Sequence, residues 1–326
     1  MNIDDLDWRL MNDWQRALPL VPRPFQVIAD EMNLEESEIL RRLQGLLDGG
    51  AISRIGATTR PNTLAASTLA AVAAPPEQVE AVAEIITAQE GINHSYEREN
   101  QWNIWFVATG PTRSFVDNAL SEIHQKTGLR VLDLRLVQPF NVELGFALDG
   151  TGEMPPPRPV DDTLPLEDAD RGLMQALSEG MAAVARPFEE LAGKLDREEI
   201  EVIERIRSLA QAGVLSRIGL IVRHRTLGWR SNAMVVFDVP QEELGEKGRA
   251  LTKVQGVTLC YERRPEPDVW PFNLYCMIHG RSRSEALDVL SLARVRAQLS
   301  GYDYKVLFST RCFKQTGALI DTRENT

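Results

Sequence analysis

The sequence contains two copies of one pattern, and this internal duplication constrains the fold more than any other feature. Four short motifs recur in the same order, at offsets that grow from 163 to 170 residues. The four pairs are Arg23-Pro24-Phe25 with Arg186-Pro187-Phe188, Ile52 to Gly56 with Leu215 to Gly219, Tyr96-Glu97-Arg98 with Tyr261-Glu262-Arg263, and Trp102 to Trp105 with Phe272 to Tyr275. Because order and spacing are kept, we infer a tandem duplication in which some loops lengthen in the second copy.

Each copy divides into a helical part and a mixed part. In residues 3–50 apolar side chains recur at helical spacing and a short extended segment follows, which is the layout of a winged helix-turn-helix. The rest of the copy predicts strand, helix, strand, strand, helix, strand, an order typical of a ferredoxin-like sandwich. We therefore predict an α+β protein, a tandem duplication of a winged helix-turn-helix domain plus a ferredoxin-like βαββαβ domain. The predicted boundaries are residues 1–59 and 60–150 in copy one, 151–170 for a proline- and acid-rich linker, and 171–222 and 223–326 in copy two.

Composition and charge narrow the class of protein. The 326 residues are 43% hydrophobic and 25% charged, as in an ordinary globular chain. No apolar run reaches the roughly 20 residues that a membrane helix needs. An acidic start and three unpaired cysteines predict a cytoplasmic protein with no membrane partner. The net charge of −11 lies in the first copy, because residues 1–163 hold 13 Lys and Arg against 24 Asp and Glu, whereas residues 164–326 hold 23 against 23. The second copy is therefore the better host for an anionic ligand.

The order of domains resembles that of the Lrp/AsnC transcription regulators, which makes DNA binding the first hypothesis. DNA binding requires Lys and Arg against the phosphate backbone. The recognition helix predicted in copy one, residues 34–48, holds four acidic residues against two arginines, and its counterpart at residues 197–211 holds four against three. Both helices would repel phosphate. We therefore predict no nucleic-acid partner and expect the helical domains to act as scaffold or pairing units.

The two copies serve as controls for each other, since core residues should match in type while site residues differ. His94 corresponds to Leu259 at the offset of 165, and His224 corresponds to Pro61 at the offset of 163. Each copy thus has a histidine where the other has none. This pattern favours one composite site between the halves, provided that both histidines face one cavity. The alternative for each histidine is a structural role.

Arginine and aromatic residues concentrate in the mixed parts of the sequence, chiefly in copy two. Guanidinium groups form paired hydrogen bonds with carboxylates, so a basic lining beside flat rings predicts a site for a flat polyanion. The alternative is a solvated charged surface over a core of rings. The sequence has no phosphate loop, no G-x-G-x-x-G after a strand and no paired Cys or His motif, so nucleotide hydrolysis, nicotinamide chemistry and zinc catalysis have no support.

Several longer motifs resemble the siroheme decarboxylase family. In copy one they are Ile52 to Ala57, Ile92 to Arg98 and Trp102 to Phe106; in copy two they are Arg223-His224, Asn232 to Val236, Cys260 to Arg263, Trp270 to Tyr275, Met277 to Gly280 and Leu307 to Arg311. The resemblance covers both halves apart from the linker and the ends. The most specific motif for this family is Trp270 to Tyr275 (WPFNLY) followed by Met277 to Gly280 (MIHG). It is a resemblance to fusions of two subunit types, NirD and NirL, built on the Lrp/AsnC architecture.

The resemblance implies a reaction and its partners. The implied enzyme is a carboxy-lyase that removes carbon dioxide from two acetate side chains of siroheme to give 12,18-didecarboxysiroheme, on the route to haem d1 or to haem. Siroheme would be the small-molecule partner. No dissociable cofactor and no protein metal site are expected, because the iron belongs to the substrate. The chain would form an internal pseudo-dimer, which leaves room for a further homodimer.

The resemblance also implies roles for single residues. His94 or His224, with a pKa near its ordinary value, would donate a proton to the new methyl group, while the other would polarise a carboxylate or ligate the iron. Leu259 stands where the second subunit type has a histidine, so a single working pocket is expected. The expected substrate-binding residues are Arg54, Arg60, Tyr96, Arg98, Trp105, Arg217, Arg223, Tyr261 and Arg263. The alternative functions are a non-enzymatic, tetrapyrrole-sensing regulator and a DNA-binding repressor.

Overall fold

The computed structural model describes residues 3–141, 145, 148, 161 and 163–322 and confirms the duplicated α+β architecture. Each copy begins with three helices and continues with strands and two further helices. In copy one these are α1 (Asp5–Asp13), α2 (Pro24–Met32), α3 (Glu36–Asp48), β1 (Ile52–Thr59), β2 (Ala66–Val72), α4 (Val79–Ala88), β3 (Ile92–Arg98), β4 (Ile104–Gly110), α5 (Arg113–Thr127), β5 (Val131–Leu134) and β6 (Leu136–Asn141). In copy two they are α6 (Asp168–Glu179), α7 (Pro187–Lys194), α8 (Glu199–Gln211), β7 (Leu215–Val222), β8 (Ser231–Phe237), α9 (Leu244–Leu251), β9 (Val257–Arg263), β10 (Leu274–Gly280), α10 (Arg283–Arg296) and β11 (Tyr304–Gln315).

The two helix-turn-helix domains pair with each other through their wings. Strands β1 and β7 form an antiparallel two-stranded sheet in which Gly56 lies opposite Gly219. A Cβ atom on Gly56 would overlap the carbonyl oxygen of Leu177 in α6, and one on Gly219 would overlap the carbonyl oxygen of Trp14 after α1. The glycine of the repeated motif therefore lets each wing approach a helical segment of the other copy. One hydrophobic core joins the helical domains of both copies.

The two ferredoxin-like domains share one nine-stranded sheet with the order β5-β2-β4-β3-β11-β8-β10-β9-β6. Each copy sends its last strand to the other. β6 pairs with β9 of copy two, and β11 pairs with β8 of its own copy and then with β3 of copy one. The last strand of the predicted βαββαβ order in copy one is therefore two strands, β5 and β6. The predicted domain boundary at residue 150 separates β6 from the sheet that it joins, because the sequence of an edge strand does not specify its partner.

The second helix-turn-helix domain begins earlier than predicted. The predicted linker extends to Asp170, but α6 starts at Asp168, since Glu167 and Asp170 form a capping box at its first turn. Asp170 is fully buried and bonds Arg205 at 2.5 and 2.7 Å. Residues 151–160 and 162 of the predicted linker lie outside the described residues.

The arginines of α3 are engaged in ion pairs within the domain. Arg41 bonds Glu38 at 2.7 Å, and Arg42 bonds Asp4 and Asp7, each at 2.8 Å. These contacts engage the positive charges of the helix that corresponds to a recognition helix, and the absence of a nucleic-acid partner stays a prediction. In the described part of the chain, no helix is both long and apolar enough to cross a membrane.

Candidate active site

A cavity of about 330 Å³ lies on the face of the nine-stranded sheet that is turned away from α4 and α5. Residues of both copies line it. The segment 59–66 between β1 and β2 forms one wall, and Met174 of α6 and Ala318 after β11 also reach it. Residues of the two halves and of the helical domains thus form the cavity together.

An irregularity in β3 turns the functional side chains of this strand towards the cavity. Ile92 packs into the core beneath α4 and α5, so strict alternation would place His94 and Tyr96 on that same side. The register of β3 against β4 shifts between Ile92 and His94, and both His94 and Tyr96 then face the cavity. The corresponding shift in β9 brings Tyr261 to the same cavity.

The structure brings together seven of the eleven site residues expected from the sequence. Those that line the cavity are His94, Arg60, Tyr96, Arg98, Trp105, Tyr261 and Arg263. Those that do not are Arg54, Arg217, Arg223 and His224. Arg54 nevertheless lies close enough to His94 to affect its pKa, and Arg217 affects that of His224. Each of these two arginines therefore lies near a histidine but does not line the cavity.

Arg98 and Arg263 occupy equivalent positions in the two copies. Arg98 donates to the carbonyl oxygen of Leu307 at 3.0 Å, and Arg263 donates to that of Leu134 at 2.8 Å. Each guanidinium lies over the tyrosine two residues before it, 5.5 Å from the ring of Tyr96 and 4.7 Å from that of Tyr261.

The same two arginines form no ion pair with a carboxylate among the described residues. The Nε atom of each is buried without a hydrogen-bond acceptor, and Asp133, which pairs with Arg135, adds only a nearby negative charge to Arg263. Burial lowers the pKa of Arg98 to about 10 and also lowers the pKa of Arg263. Arginine side chains remain cationic at neutral pH, so an anionic ligand would offset the desolvation cost of these two buried charges.

Several aromatic side chains lie on the cavity side of the sheet, but only some of them line the cavity. Trp105 lines the cavity and donates its Nε1–H to the carbonyl oxygen of Trp102 at 2.6 Å. Trp270 packs against Trp105 with ring centroids 5.2 Å apart and donates to the Tyr275 hydroxyl at 2.8 Å. These bonds fix the rings, with the plane of Trp105 tilted by 59° to that of Trp270, so the Trp105 side chain in the cavity wall is held in place.

His94 faces the cavity with no hydrogen-bond partner among the described residues. Its ring centroid lies 6.3 Å from that of Tyr96. Burial, and then the charge of Arg54, lower the pKa of His94 to about 4. The expectation of an ordinary histidine pKa is therefore wrong, because sequence spacing does not show how deeply a ring is buried.

His224 does not face the cavity, so the condition that both predicted histidines share it is not met. Its ring lies next to that of His279, with centroids 6.4 Å apart. Burial, and then the charges of His279 and Arg217, lower the pKa of His224 to about 3. His279 takes its place in the cavity wall, and burial and Arg98 lower its pKa to about 4.

Sequence reasoning missed His279, although the signal was present. At the offset of 170 that relates the two aromatic motifs, His279 corresponds to Thr109. Extending the comparison of the copies to the end of β10 would have found a third histidine without a counterpart.

The duplicated helix-turn-helix and ferredoxin-like domains, with a basic and aromatic cavity between them, define a ligand-binding protein of the Lrp/AsnC class. Family models agree with this description. An AsnC-like ligand binding domain matches residues 64–140 and 226–314, and a siroheme decarboxylase NirDL-like HTH domain matches residues 7–52 and 170–215.

Full-length relatives identify the family. A siroheme decarboxylase NirDL subunit of Paracoccus denitrificans is 50% identical over 98% of this chain and 98% of its own length. A siroheme decarboxylase NirD subunit of Stutzerimonas stutzeri is 42% identical and matches 45% of this chain and 97% of its own length. A crystal structure of the siroheme decarboxylase NirDL in co-complex with an iron-uroporphyrin III analogue is similar with a TM-score of 0.69 at 27% identity, over 99% of this chain and 96% of that one. The chain belongs to the siroheme decarboxylase family, in which the two halves also occur as separate subunits.

Proposed function

We propose that this chain is a carboxy-lyase that decarboxylates siroheme, removing carbon dioxide from two acetate side chains to give didecarboxysiroheme. The observation that carries the proposal is the cavity itself, in which Arg98 and Arg263, with no ion-pair partner among the described residues, lie beside the aromatic rings of the wall. Siroheme is flat and rich in carboxylates, so it matches both features. Membership of the siroheme decarboxylase family supports the same substrate.

The arginines would bind carboxylates of the substrate. Each guanidinium donates one N–H to a backbone carbonyl oxygen, which fixes the plane of the group. The remaining N–H groups could donate to a ligand. Arg60, in the wall formed by segment 59–66, adds a third cation. Charge-assisted hydrogen bonds of this kind are among the stronger ones, so these residues would set the orientation of the macrocycle.

His94 would supply the proton. Loss of carbon dioxide breaks the bond between the methylene and carboxyl carbons and leaves the electron pair on the methylene carbon, from where it is delocalised into the conjugated macrocycle. A proton must then reach that carbon to form the methyl group. His94 faces the cavity and makes no competing hydrogen bond to the described residues, which leaves a ring nitrogen free for this transfer.

Substrate binding would itself protonate His94. Burial and the charge of Arg54 hold the pKa of His94 at about 4, so the ring is neutral at pH 7. A carboxylate of the substrate placed beside the ring would stabilise the imidazolium and raise this pKa. The proton donor would therefore form only when an acidic ligand is present.

The substrate is large for the cavity that we observe. A volume of about 330 Å³ lies near the lower end of the range for small-molecule sites, which is about 300–1,000 Å³. We therefore expect segment 59–66 to move outwards when the tetrapyrrole binds. The iron would enter as part of the substrate, and the macrocycle itself would delocalise the charge, so the proposed reaction needs no dissociable cofactor.

Anaerobic incubation with siroheme, followed by mass analysis of the pigment, tests the proposal. We expect the wild-type chain to yield siroheme that has lost two molecules of carbon dioxide. His94→Gln should slow the reaction by about 100-fold or more, the range of a positioned acid. His124→Gln, an exposed histidine on α5, is the matched control and should react as the wild type does. Tight binding of siroheme without any change of mass would refute the enzyme and indicate a tetrapyrrole-sensing regulator.

A further inference from the structure

Helix α10 of copy two exposes an apolar stripe to solvent. Leu287, Leu292 and Val295 are 40%, 44% and 68% exposed, and the value for Val295 is the highest of any large apolar side chain in the described part of the chain. The opposite face of α10 packs into the core of its own ferredoxin-like domain. Apolar side chains that adjoin one another on a soluble surface, rather than standing singly, indicate an interaction site.

The corresponding helix of copy one has no such stripe. At the offset of 170 the N-cap Thr112 of α5 corresponds to the N-cap Ser282 of α10, and each side chain accepts a hydrogen bond from the backbone three residues later. In this register each apolar residue of the stripe stands where α5 has a polar one. The pairs are Leu287 with Asp117, Leu292 with Glu122 and Val295 with Gln125. The fold therefore does not require apolar residues at these positions of α10.

The stripe is complementary to itself about Ser291. Leu287 and Val295 lie four residues before and four residues after Ser291, on the same side of the helix. When two copies of α10 pack antiparallel across a twofold axis at Ser291, Leu287 of one copy lies level with Val295 of the other. Ser291 is exposed, and its hydroxyl donates to the carbonyl oxygen of Leu287 at 2.9 Å. A small side chain whose donor is already bonded thus stands where the two helices would cross.

Charge favours the same arrangement. Asp288, Leu292 and Arg296 follow one another at intervals of four residues, along one flank of the stripe. Asp288 and Arg296 are exposed, and neither has an ion-pair partner among the described residues. Antiparallel pairing brings Asp288 of each copy to the flank that carries Arg296 of the other, whereas parallel pairing would place like charges level with each other. It also opposes the two helix dipoles.

We propose that α10 is the interface through which two copies of this chain form a homodimer, with the twofold axis at Ser291. The inference does not depend on the proposed function. Because the stripe belongs to copy two alone and is complementary to itself, pairing closes at the dimer and does not extend into a filament. α10 packs on the face of the sheet opposite the cavity, so the dimer holds two accessible cavities.

Site-specific cross-linking tests the position of the axis. Ser291→Cys, in a chain whose exposed Cys312 is also changed by Cys312→Ser, should form a disulfide between two copies under mild oxidation. A non-reducing gel would then show a band of twice the mass. Ser121→Cys on α5 is the matched control, because Ser121 is the equivalent residue of copy one and is also exposed. It should run as a single chain under the same conditions.

Sedimentation equilibrium measures the affinity of the dimer. The triple variant Leu287→Asp, Leu292→Glu and Val295→Gln places the residues of α5 on α10 and should raise the dissociation constant by about 100-fold or more. Ile200→Gln removes an exposed apolar side chain from α8 and should leave the dimer unchanged. The urea midpoint of the triple variant should equal that of the wild type, since exposed substitutions change stability little.

A charge exchange tests the orientation of the two helices. Asp288→Arg alone should raise the dissociation constant by about 10-fold, because it places like charges on the same flank. Addition of Arg296→Asp should restore the wild-type value. Failure of the second change to restore binding would count against antiparallel pairing.

Three results would overturn the proposal. One is a wild-type chain that sediments as a monomer at every concentration, which would assign the stripe to a different partner. Another is a dimer that persists in the triple variant, and the third is equal cross-linking of Ser291→Cys and Ser121→Cys. If the urea midpoint shows that the triple variant has lost its fold, the comparison of the two cysteine variants decides the question by itself.

Discussion

Acid should destabilise this protein through two buried histidines, His224 and His279. Both are 9% exposed, and burial lowers the pKa of His224 to about 3 and that of His279 to about 4, from the ordinary value of 6.5. The charges of Arg217 beside His224 and of Arg98 beside His279 act in the same direction. Below pH 6.5 the unfolded chain therefore binds protons that the folded chain does not.

The sign and size of the effect follow from this difference in proton binding. Stability is fully present above pH 6.5 and is lost as the pH falls from 6.5 towards 4, because protonation then favours the unfolded state. Between pH 8 and pH 5 each histidine should remove about 2 kcal/mol from the free energy of unfolding, or about 4 kcal/mol for the pair. This is a large part of the total stability of a typical domain, about 5–15 kcal/mol.

Urea unfolding at pH 8 and at pH 5, followed by tryptophan fluorescence, measures this loss. The double variant His224→Gln and His279→Gln should lose about 4 kcal/mol less than the wild type between the two pH values, whatever its stability at pH 8. His94 contributes equally to both proteins and cancels, and His124→Gln is the surface control. Parallel losses in wild type and double variant would refute the reasoning, because the two rings would then titrate alike in the folded and unfolded states.

Three further outcomes follow from the packing and charge of the helical domains. Gly56→Ala should lower the free energy of unfolding by about 1–3 kcal/mol, because the added methyl overlaps the carbonyl oxygen of Leu177; an unchanged urea midpoint would contradict the close approach. Asp170→Asn should cost about 1–3 kcal/mol, since it removes the charge of a buried, hydrogen-bonded carboxylate while Arg205 keeps only Glu167 at 3.7 Å, and calorimetry would record the fall in Tm. A mobility-shift assay with generic DNA at low salt should show no complex; tight binding there would overturn the charge argument.

The sequence determined the architecture of each copy, because local patterns encode local structure. Helical spacing and turn residues depend on neighbours within a few positions, and the predicted order of helices and strands matches the observed order apart from the extra strand β6. Comparison of the copies also singled out His94 and the repeated Tyr-Glu-Arg motif, and the structure places Tyr96, Arg98, Tyr261 and Arg263 in one cavity. The duplication made this comparison possible. A residue such as His94, which the other copy replaces by Leu259, is not required by the fold itself.

Only the tertiary structure decided how the copies join and which histidines share the cavity. The exchange of β6 and β11 depends on which sheet edges meet, and neither strand's own pattern specifies that partner. A one-residue register shift decides whether His94 faces the core or the cavity. His279 lines the cavity whereas His224 does not, and the pKa of each ring is lowered by burial and by neighbouring charges. Both the position of a ring and its surroundings depend on distant parts of the chain, so they exist only once the chain has folded.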